Sequence, residues 1–447
     1  MRTGSGGVTI VHGGLTLQMK VMGRPLVTVV SAVVVSAKMP VSTKIFATGA
    51  HNVVYSIETE ELLDWKSVVE ENFLECSPAV AACLSCSAAL LLDDVSVCPA
   101  VVLVGPPSTA KTTVLDFFSV EGLTHKLDAF SAKAMISHFA GSNENELAKK
   151  IDMLPQIRHK VVFVADLSPM FSKRVDDLME NIGILTRVLD GQGYISHSGV
   201  HGRRGEHGDY RFGFIAATTP VGGQVWRVMS SLGPRLMLFD MPIHKESLTE
   251  QRQDMVGVKT YADKVADCRE VVSAVLTKIW NDNGAQVGGL HWDRASDPED
   301  VLNNIIRLAE LGVVLRSVTA KEKVVTGNEY EYSPSVLEGP ARYRQSLYNL
   351  ARGHALVNGR RNLTMADLEL PKRIVLSTGP VERLRLLRYL INDGNINSAN
   401  QAAEIIGHAW STSNSVMKQM LQLGLVRHGT EYYYLDPKYD WIKELRV

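Results

Sequence analysis

The sequence lacks an excess of charge of either sign. Its 447 residues carry 47 Lys and Arg against 48 Asp and Glu, which gives a formal net charge of −1 at pH 7. Overall charge therefore gives no indication of nucleic-acid binding, and any such contact must come from a local basic patch. The hydrophobic fraction of 45% and the charged fraction of 21% are ordinary for a soluble globular protein. The length is sufficient for roughly two or three domains.

Cysteine is also scarce, with five residues in the chain. Cys83 and Cys86 form a CxxC pair, but neither a second pair nor a histidine cluster accompanies it, so a zinc site is not favoured. The pair lies in the small apolar run PAVAACLSCSAALLL. This run predicts a buried helix in which the thiols act as small hydrophobic groups. Reduced thiols are typical of cytoplasmic proteins, and we expect that location.

Long apolar runs are absent as well. The run over residues 26–37 follows Lys20 and Arg24, like the core of a signal peptide. It is too short to span a bilayer and starts late for a signal, so we expect no membrane attachment. Export remains the alternative. Met39 is a candidate functional start, and residues 1–55 are expected to be an extension that is poorly ordered or lies upstream of that start.

The most informative stretch is residues 101–113, VVLVGPPSTAKTT. An apolar run, a glycine–proline loop and an amphipathic segment predict a buried strand, a tight loop and a helix. Backbone amides of such a loop and the helix dipole bind phosphate groups. Lys111 is expected to reach the β- and γ-phosphates of a nucleotide, and the Thr112 hydroxyl to bind Mg²⁺. The predicted nucleotide-binding residues are Gly105, Pro106, Pro107, Ser108, Thr109, Ala110, Lys111, Thr112 and Thr113.

Two features weaken the match to an ordinary phosphate loop. Ala110 stands where a glycine usually precedes the lysine, although a methyl group still permits close backbone approach. A second buried strand, residues 161–164, leads to Asp166, a suitable place for a carboxylate that binds Mg²⁺ or polarises the attacking water. Ala165 and Leu167 flank Asp166, so the usual pair of adjacent acids is missing. The sequence therefore supports nucleotide binding more strongly than hydrolysis.

A glycine-rich segment, residues 191–220, predicts a hairpin followed by a strand. Residues 194–197 and 210–215 are the expected arms. The hairpin is either an exposed element whose charges maintain solubility or a functional contact. The second arm is expected to continue as a buried strand to Thr219, whose hydroxyl would lie near a γ-phosphate or its water. The predicted tip carries His201, Arg203, Arg204 and His207.

The remaining chain predicts two further regions. Arg235 follows a helix break at Gly233 and Pro234. An arginine at such a position is either an anion clamp or a salt-bridge partner. From residue 245 the periodicity is helical, which predicts an all-α domain over residues 245–375 with a hairpin-like insertion at 319–332. Residues 376–447 predict three helices and a β-ribbon, the order of a winged helix. Lys418 and Arg427 would give it a thin basic surface for DNA, with protein docking as the alternative.

With these elements in this order, the sequence resembles the AAA+ ATPases. Within them it is similar to the MCM-type replicative helicases and related bacterial and mobile-element helicases, which carry a hairpin before the sensor strand. The resemblance covers about residues 58–370 and the trailing winged helix, and alanine before the phosphate-loop lysine is common in MCM proteins. It implies an α/β P-loop core over residues 56–244, an all-α lid over 245–375 and a winged helix over 376–447.

The resemblance also implies roles for individual residues. Lys111 and Thr112 match the Walker A lysine and hydroxyl, and Asp166 matches the Walker B acid. Thr219 stands where the sensor-1 asparagine is usual. Arg235 matches the arginine finger that reaches a neighbour's γ-phosphate. Arg342 matches the sensor-2 arginine, and Arg344 is the alternative for that role.

The function implied by this resemblance is a DNA-acting motor that binds and hydrolyses Mg·ATP. Its subunits would form a homo-oligomeric ring, for which a hexamer is one arrangement, with Arg203 and Arg204 facing DNA in the pore. The sequence shows no counterpart of the MCM amino-terminal zinc domain, of the second Walker B acid or of the sensor asparagine, so it resembles a divergent relative. The alternatives are a protein-remodelling or regulatory ATPase and a switch that binds ATP with little turnover.

Overall fold

The computed structural model of the chain divides into two compact units, Met1–Leu63 and Asp64–Val447. The residues it describes are 8–11, 14–21, 24–30, 64–136, 152–198, 202–233, 235–243, 247–319, 321–323, 330–332, 337–392, 394–430 and 432–445. No helix among these residues is long and apolar enough to cross a membrane.

The first unit contains a small antiparallel sheet. Its strands are Val8–Val11 (β1), Gly14–Val21 (β2) and Arg24–Val30 (β3), paired in the order β1–β2–β3. No expectation drawn from the sequence includes this sheet. The apolar run over residues 26–37 begins inside β3, and its remainder lies outside the described residues.

The second unit is built around a five-stranded sheet in which every pair of strands is parallel. The sheet has the order β10–β4–β9–β6–β5. This arrangement confirms the predicted α/β class. The strands of the unit are β4 (Ala100–Val104), β5 (Thr124–Ala129), β6 (Val161–Asp166), β7 (Gly193–Ser198), β8 (Gly202–His207), β9 (Gly213–Thr218), β10 (Met237–Asp240), β11 (Lys321–Lys323), β12 (Tyr330–Tyr332), β13 (Val426–His428) and β14 (Tyr433–Leu435).

Helices flank this sheet and make up most of the chain after it. In chain order they are α1 (Trp65–Asn72), α2 (Ser77–Ala89), α3 (Lys111–Asp116), α4 (Met153–Ile157), α5 (Ser168–Phe171), α6 (Val175–Val188), α7 (Gly223–Leu232), α8 (Leu248–Val256), α9 (Tyr261–Asp282), α10 (Glu299–Arg316), α11 (Ala341–Val357), α12 (Glu369–Val375), α13 (Val381–Asn392), α14 (Ala399–Ile406), α15 (Trp410–Gln422) and α16 (Trp441–Glu444).

The order of the strands determines what meets at the edge of the sheet. The chain passes from β4 to the far strand β5, returns through β6 and β9, and then crosses to β10 on the other side of β4. Because all five strands are parallel, their carboxyl ends lie along one edge. In open α/β sheets, ligands bind in the crevice at such an edge, where the strand order reverses. Here that position lies beside the end of β4.

Alternate residues of the central strands enter two separate apolar cores. Val101 and Leu103 of β4 belong to the core that includes α2, α10 and α11, whereas Val102 and Val104 belong to the core that includes α6 and α7. A parallel sheet covered on both faces has almost continuously apolar strands, because each side chain is buried whichever way it points. All residues of β4 and of β9 are buried.

The CxxC pair lies on α2. The burial of this helix confirms the prediction of a buried helix for the run PAVAACLSCSAALLL. Cys83 and Cys86 are 0% exposed, and burial raises the pKa of both thiols well above the ordinary value. The helix packs closely against α11 at Gly353. A Cβ atom at this glycine would lie 2.0 Å from the backbone oxygen of Ser85, so only glycine permits the observed helix separation.

We predict that Gly353→Ala destabilises the fold by about 3 kcal/mol or more, because the two helix backbones must separate. Gly183 in α6 is the matched control, since a Cβ there meets nothing within 4 Å. Gly183→Ala should stabilise the protein by about 1 kcal/mol through helix propensity alone. Chemical denaturation of both variants measures the difference. Equal effects of the two substitutions would contradict the described packing of α2 on α11.

Candidate functional site

The loop between β4 and α3 has an unusual backbone. Ser108 and Ala110 both lie in the left-handed region, with φ of 64° and 53°. The Gly105 amide donates to the carbonyl of Thr218 at 3.2 Å, which ties the start of the loop to β9. Ala110 is the N-cap of α3 and provides no side-chain cap. The sequence departure at Ala110 therefore falls on a position whose backbone favours glycine.

The side chain of Lys111 folds back over this loop. Its Nζ atom lies 2.8 Å from the carbonyl oxygen of Gly105, 2.6 Å from that of Pro106 and 3.3 Å from Oγ1 of Thr109. Burial lowers the pKa of Lys111, and the charge of Asp166 opposes this shift. The ammonium group is thus partly desolvated, held by loop carbonyls and close enough to Asp166 to sense its charge.

Asp166 and Thr219 meet because β9 lies between β4 and β6. Oδ1 of Asp166 accepts a hydrogen bond of 2.8 Å from the amide of Ser168. Oγ of Ser168 lies 3.0 Å from Oγ1 of Thr219 and accepts the Thr219 amide at 3.1 Å. Ser168 was not expected from the sequence. The signal that identifies it is a hydroxyl residue two positions after a strand-end aspartate, where an Asx turn forms.

A cavity of about 740 Å³ opens beside the loop. Its lining includes Pro107, Ala110 and Thr113 from the loop and the start of α3. Phe73 and Tyr261 also line it, with ring centroids 5.8 Å apart in an edge-to-face arrangement. Oγ1 of Thr113 and the hydroxyl of Tyr261 are 2.7 Å apart. The charged residues of the lining are Glu70, Glu71, Glu250 and Lys264, so the cavity is acidic on balance. Its volume is typical of a small-molecule site.

Thr112 and Asp166 are both solvent-exposed at this edge of the sheet. The structure therefore brings together most of the residues selected from the sequence: the loop from Gly105 to Ala110, Lys111, Asp166 and Thr219. Among the described residues, no group of three or more His, Cys, Asp and Glu side chains could hold a metal ion by itself.

Arg235 lies elsewhere, inside its own subunit. Its guanidinium donates to Oδ1 of Asp190 at 2.6 Å and 3.1 Å and to the carbonyl of Gly233 at 2.7 Å. The residue is 9% exposed. Breaking a buried ion pair of this kind costs about 3–5 kcal/mol. Of the two roles open for Arg235, the geometry favours the salt-bridge partner over an arginine finger that reaches a neighbouring subunit.

Arg342 is exposed near the start of α11, and Arg344 is exposed on the same helix. Neither residue lines the cavity beside the loop. The hydrogen bonds described for Lys111, Asp166 and Thr219 include neither arginine.

The predicted hairpin is present, but its second arm was wrongly placed. The arms are β7 and β8, and the range predicted for the second arm, residues 210–215, instead leads into the central strand β9. Arg203 and Arg204 consequently lie in β8 rather than at the tip, and Arg203 pairs with His197 of β7. Arg203 is exposed and Arg204 half-buried. His201 lies outside the described residues.

The two basic residues selected near the carboxyl terminus are both accessible. Lys418 is exposed on α15. Arg427 on β13 donates to Oδ2 of Asp436 at 2.9 Å, while its side chain remains 59% exposed. Asp436 is buried, so the ion pair is exposed only on the arginine side.

Comparison of the sequence with protein-family models and with curated proteins finds no match. The assignment of this site therefore depends on the geometry of its own residues. The residues that carry it are the loop lysine Lys111, the strand-end acid Asp166, and Ser168 with Thr219 between them.

We predict that Ala110→Gly stabilises the protein by about 1 kcal/mol, because glycine adopts the left-handed conformation without steric cost. Ala285 is a matched control, since its φ is also 53° and it is exposed away from the loop. Ala285→Gly should give a similar gain. Thermal unfolding of both variants measures it. A loss of stability in Ala110→Gly alone would contradict the described loop conformation.

Proposed function

We propose that this protein binds ATP with Mg²⁺ at the carboxyl edge of its parallel sheet and hydrolyses it, as a divergent AAA+ ATPase. One observation carries the proposal. Three adjacent strands, β4, β9 and β6, deliver a lysine-bearing loop, a hydroxyl pair and a carboxylate to one edge of the sheet. The loop, but neither the hydroxyl pair nor the carboxylate, also lines the cavity of about 740 Å³. Phosphoryl transfer needs these groups together, since it depends on positioning and on neutralising charge.

Lys111 and the loop would bind the phosphates. The ammonium now donates to the carbonyls of Gly105 and Pro106, which are neutral acceptors. A phosphate oxygen is a stronger acceptor because it is charged. A phosphate oxygen in place of these carbonyls would also oppose the effect of burial, which lowers the pKa of the ammonium. Phe73 and Tyr261 would flank the base in the adjoining cavity.

Thr112 and Asp166 fit a Mg²⁺ ion that arrives with the nucleotide. Such an ion is usually held by one or two protein oxygens, with phosphate oxygens and water completing its shell. Both side chains are exposed oxygen donors at the same edge. The ion would neutralise charge that develops on the phosphates.

Asp166, Ser168 and Thr219 would orient the attacking water. The hydrogen bonds among them fix the carboxylate and the two hydroxyls with respect to one another. At the end of β6, Asp166 is a single carboxylate where AAA+ proteins have two adjacent acids. With Arg235 held by Asp190, the geometry favours slow turnover, and a switch that binds ATP with little hydrolysis is the second candidate.

The action on DNA is proposed from the resemblance and from the hairpin. The exposed residues Ile195, His197, Arg203 and His207 alternate along β7 and β8. Side chains that alternate along paired strands share one face of the hairpin, and this face is basic when its histidines are protonated. A homo-oligomeric ring, with a hexamer as one arrangement, would direct such faces toward a central strand of DNA. A protein substrate is the alternative.

We predict that Lys111→Ala weakens ATP binding by about a hundredfold, because it removes charge-assisted hydrogen bonds to phosphate. The control is Lys66→Ala, an exposed lysine on α1. Asp166→Asn should keep ATP binding within a few-fold and abolish phosphate release. Calorimetry and phosphate-release assays measure these effects. Wild-type protein that binds ATP without releasing phosphate indicates the switch, and unchanged ATP binding by Lys111→Ala contradicts the proposed site.

We predict that DNA stimulates phosphate release, and that Arg203→Gln weakens DNA binding and lowers the slope of log affinity against log salt by about one. Arg361→Gln, at an exposed arginine outside the hairpin, is the control and should leave the slope unchanged. Fluorescence anisotropy at several salt concentrations measures the slope. Equal slopes for wild type and Arg203→Gln would remove the hairpin from the DNA contact.

A further inference from the structure

A second cavity, of about 510 Å³, also adjoins the loop, and its lining shares Pro106 and residues 241–243 with the lining of the first cavity. Gly105 and Pro106 form part of its wall, together with Pro220, the residue after Thr219. The carbonyls of Gly105 and Pro106 are the ones that hold Lys111. This cavity therefore adjoins the two residues whose carbonyls hold Lys111, and it also adjoins the segment that follows β9.

Three arginines line this cavity, and they come from two different helices. Arg373 belongs to α12, whereas Arg385 and Arg388 belong to α13. Among the described residues that line it, Asp240 is the one carboxylate. The lining thus carries three positive charges against one negative charge.

Asp240 is a weak counter-charge for this group. Its Oδ2 atom accepts a hydrogen bond of 2.6 Å from Arg388, whose same nitrogen also donates to the carbonyl of Leu376 at 2.5 Å. Burial raises the pKa of Asp240, although Arg388 and Arg385 oppose the shift. The carboxylate is therefore committed to one arginine, and two positive charges remain without a charged partner in the lining.

Arg373 is the least satisfied of the three. Its Nη1 atom is buried and has no hydrogen-bond partner among the described residues. Its guanidinium lies 5.6 Å from the ring centroid of Phe239. Arg385 is exposed and donates to the carbonyl of Ile406 at 3.0 Å. A buried donor without a partner is rare in folded proteins. This nitrogen is itself covered, and Arg373 lines the cavity through its other atoms.

We propose that this cavity binds a phosphate group through Arg373, Arg385 and Arg388. Guanidinium groups bind phosphate by paired, charge-assisted hydrogen bonds, which is why arginine clusters select such anions. The phosphate has two possible sources. One is the terminal phosphate of a nucleotide on the loop, and this source rests on the proposed function. The other is free phosphate or a separate phosphorylated molecule, which does not.

The test compares binding of ATP, ADP and inorganic phosphate by calorimetry in the full chain. Arg373→Gln is the test variant, and Arg361→Gln, an exposed arginine outside the cavity, is the control. Phosphate is titrated into Lys111→Ala and Lys111→Ala/Arg373→Gln, so that the loop does not contribute. Thermal unfolding checks folding. If Arg373→Gln does not fold, Arg385→Gln replaces it, because that side chain is exposed.

If the source is the nucleotide, wild type prefers ATP to ADP by about tenfold or more, Arg373→Gln loses this preference and Arg361→Gln keeps it. If the source is separate, phosphate binds to Lys111→Ala and about tenfold more weakly after Arg373→Gln is added. If neither effect is observed, the proposal is overturned. Absence of all ATP and ADP binding to wild type would contradict the proposed function alone, since the phosphate titration still decides the cavity.

Discussion

The parallel pairing of β9 between β4 and β6 is the constraint on which the rest of this site depends. It places Thr219 between the loop of Lys111 and the carboxylate of Asp166, residues that are far apart in the sequence. Because both faces of the sheet are buried in apolar cores, a change of register would expose several apolar side chains at once. The same packing that stabilises the sheet therefore fixes the relative positions of the polar groups at its edge.

The loop itself combines strain with weak interactions. Ser108 and Ala110 hold left-handed backbone conformations, and Lys111 donates to backbone carbonyls rather than to a charged partner. Strained backbone of this kind persists where the surrounding structure determines it, and it is concentrated at binding sites. The arginine-lined cavity beside the loop adds positive charges that lack a charged partner in its lining. Together these features support the proposal that this edge of the sheet binds phosphate groups.

Local sequence patterns predicted the strands that lead to the site and the residue types that follow them, but not every element of the chain. The apolar runs gave the strands near Val102 and Val162, and the glycine–proline loop with its lysine gave the phosphate-binding candidate. The sheet of residues 8–30 was missed, although Leu15, Leu17 and Met19 alternate with polar residues along β2. Non-local contacts were not predictable: the Asp190 partner of Arg235 is 45 positions away. The hairpin arm was misplaced because residues 202–207 are glycine-rich and charged, and their strand depends on pairing with β7.

The central claim is that Lys111 and its loop bind the triphosphate of a nucleotide. The most direct measurement is an experimental structure of the protein with Mg²⁺ and a non-hydrolysable ATP analogue. We expect the phosphates to lie in the loop, with the Lys111 ammonium moved from the carbonyls of Gly105 and Pro106 to phosphate oxygens and with Asp166 facing the metal ion. A nucleotide bound elsewhere, with Lys111 still on those two carbonyls, would contradict it.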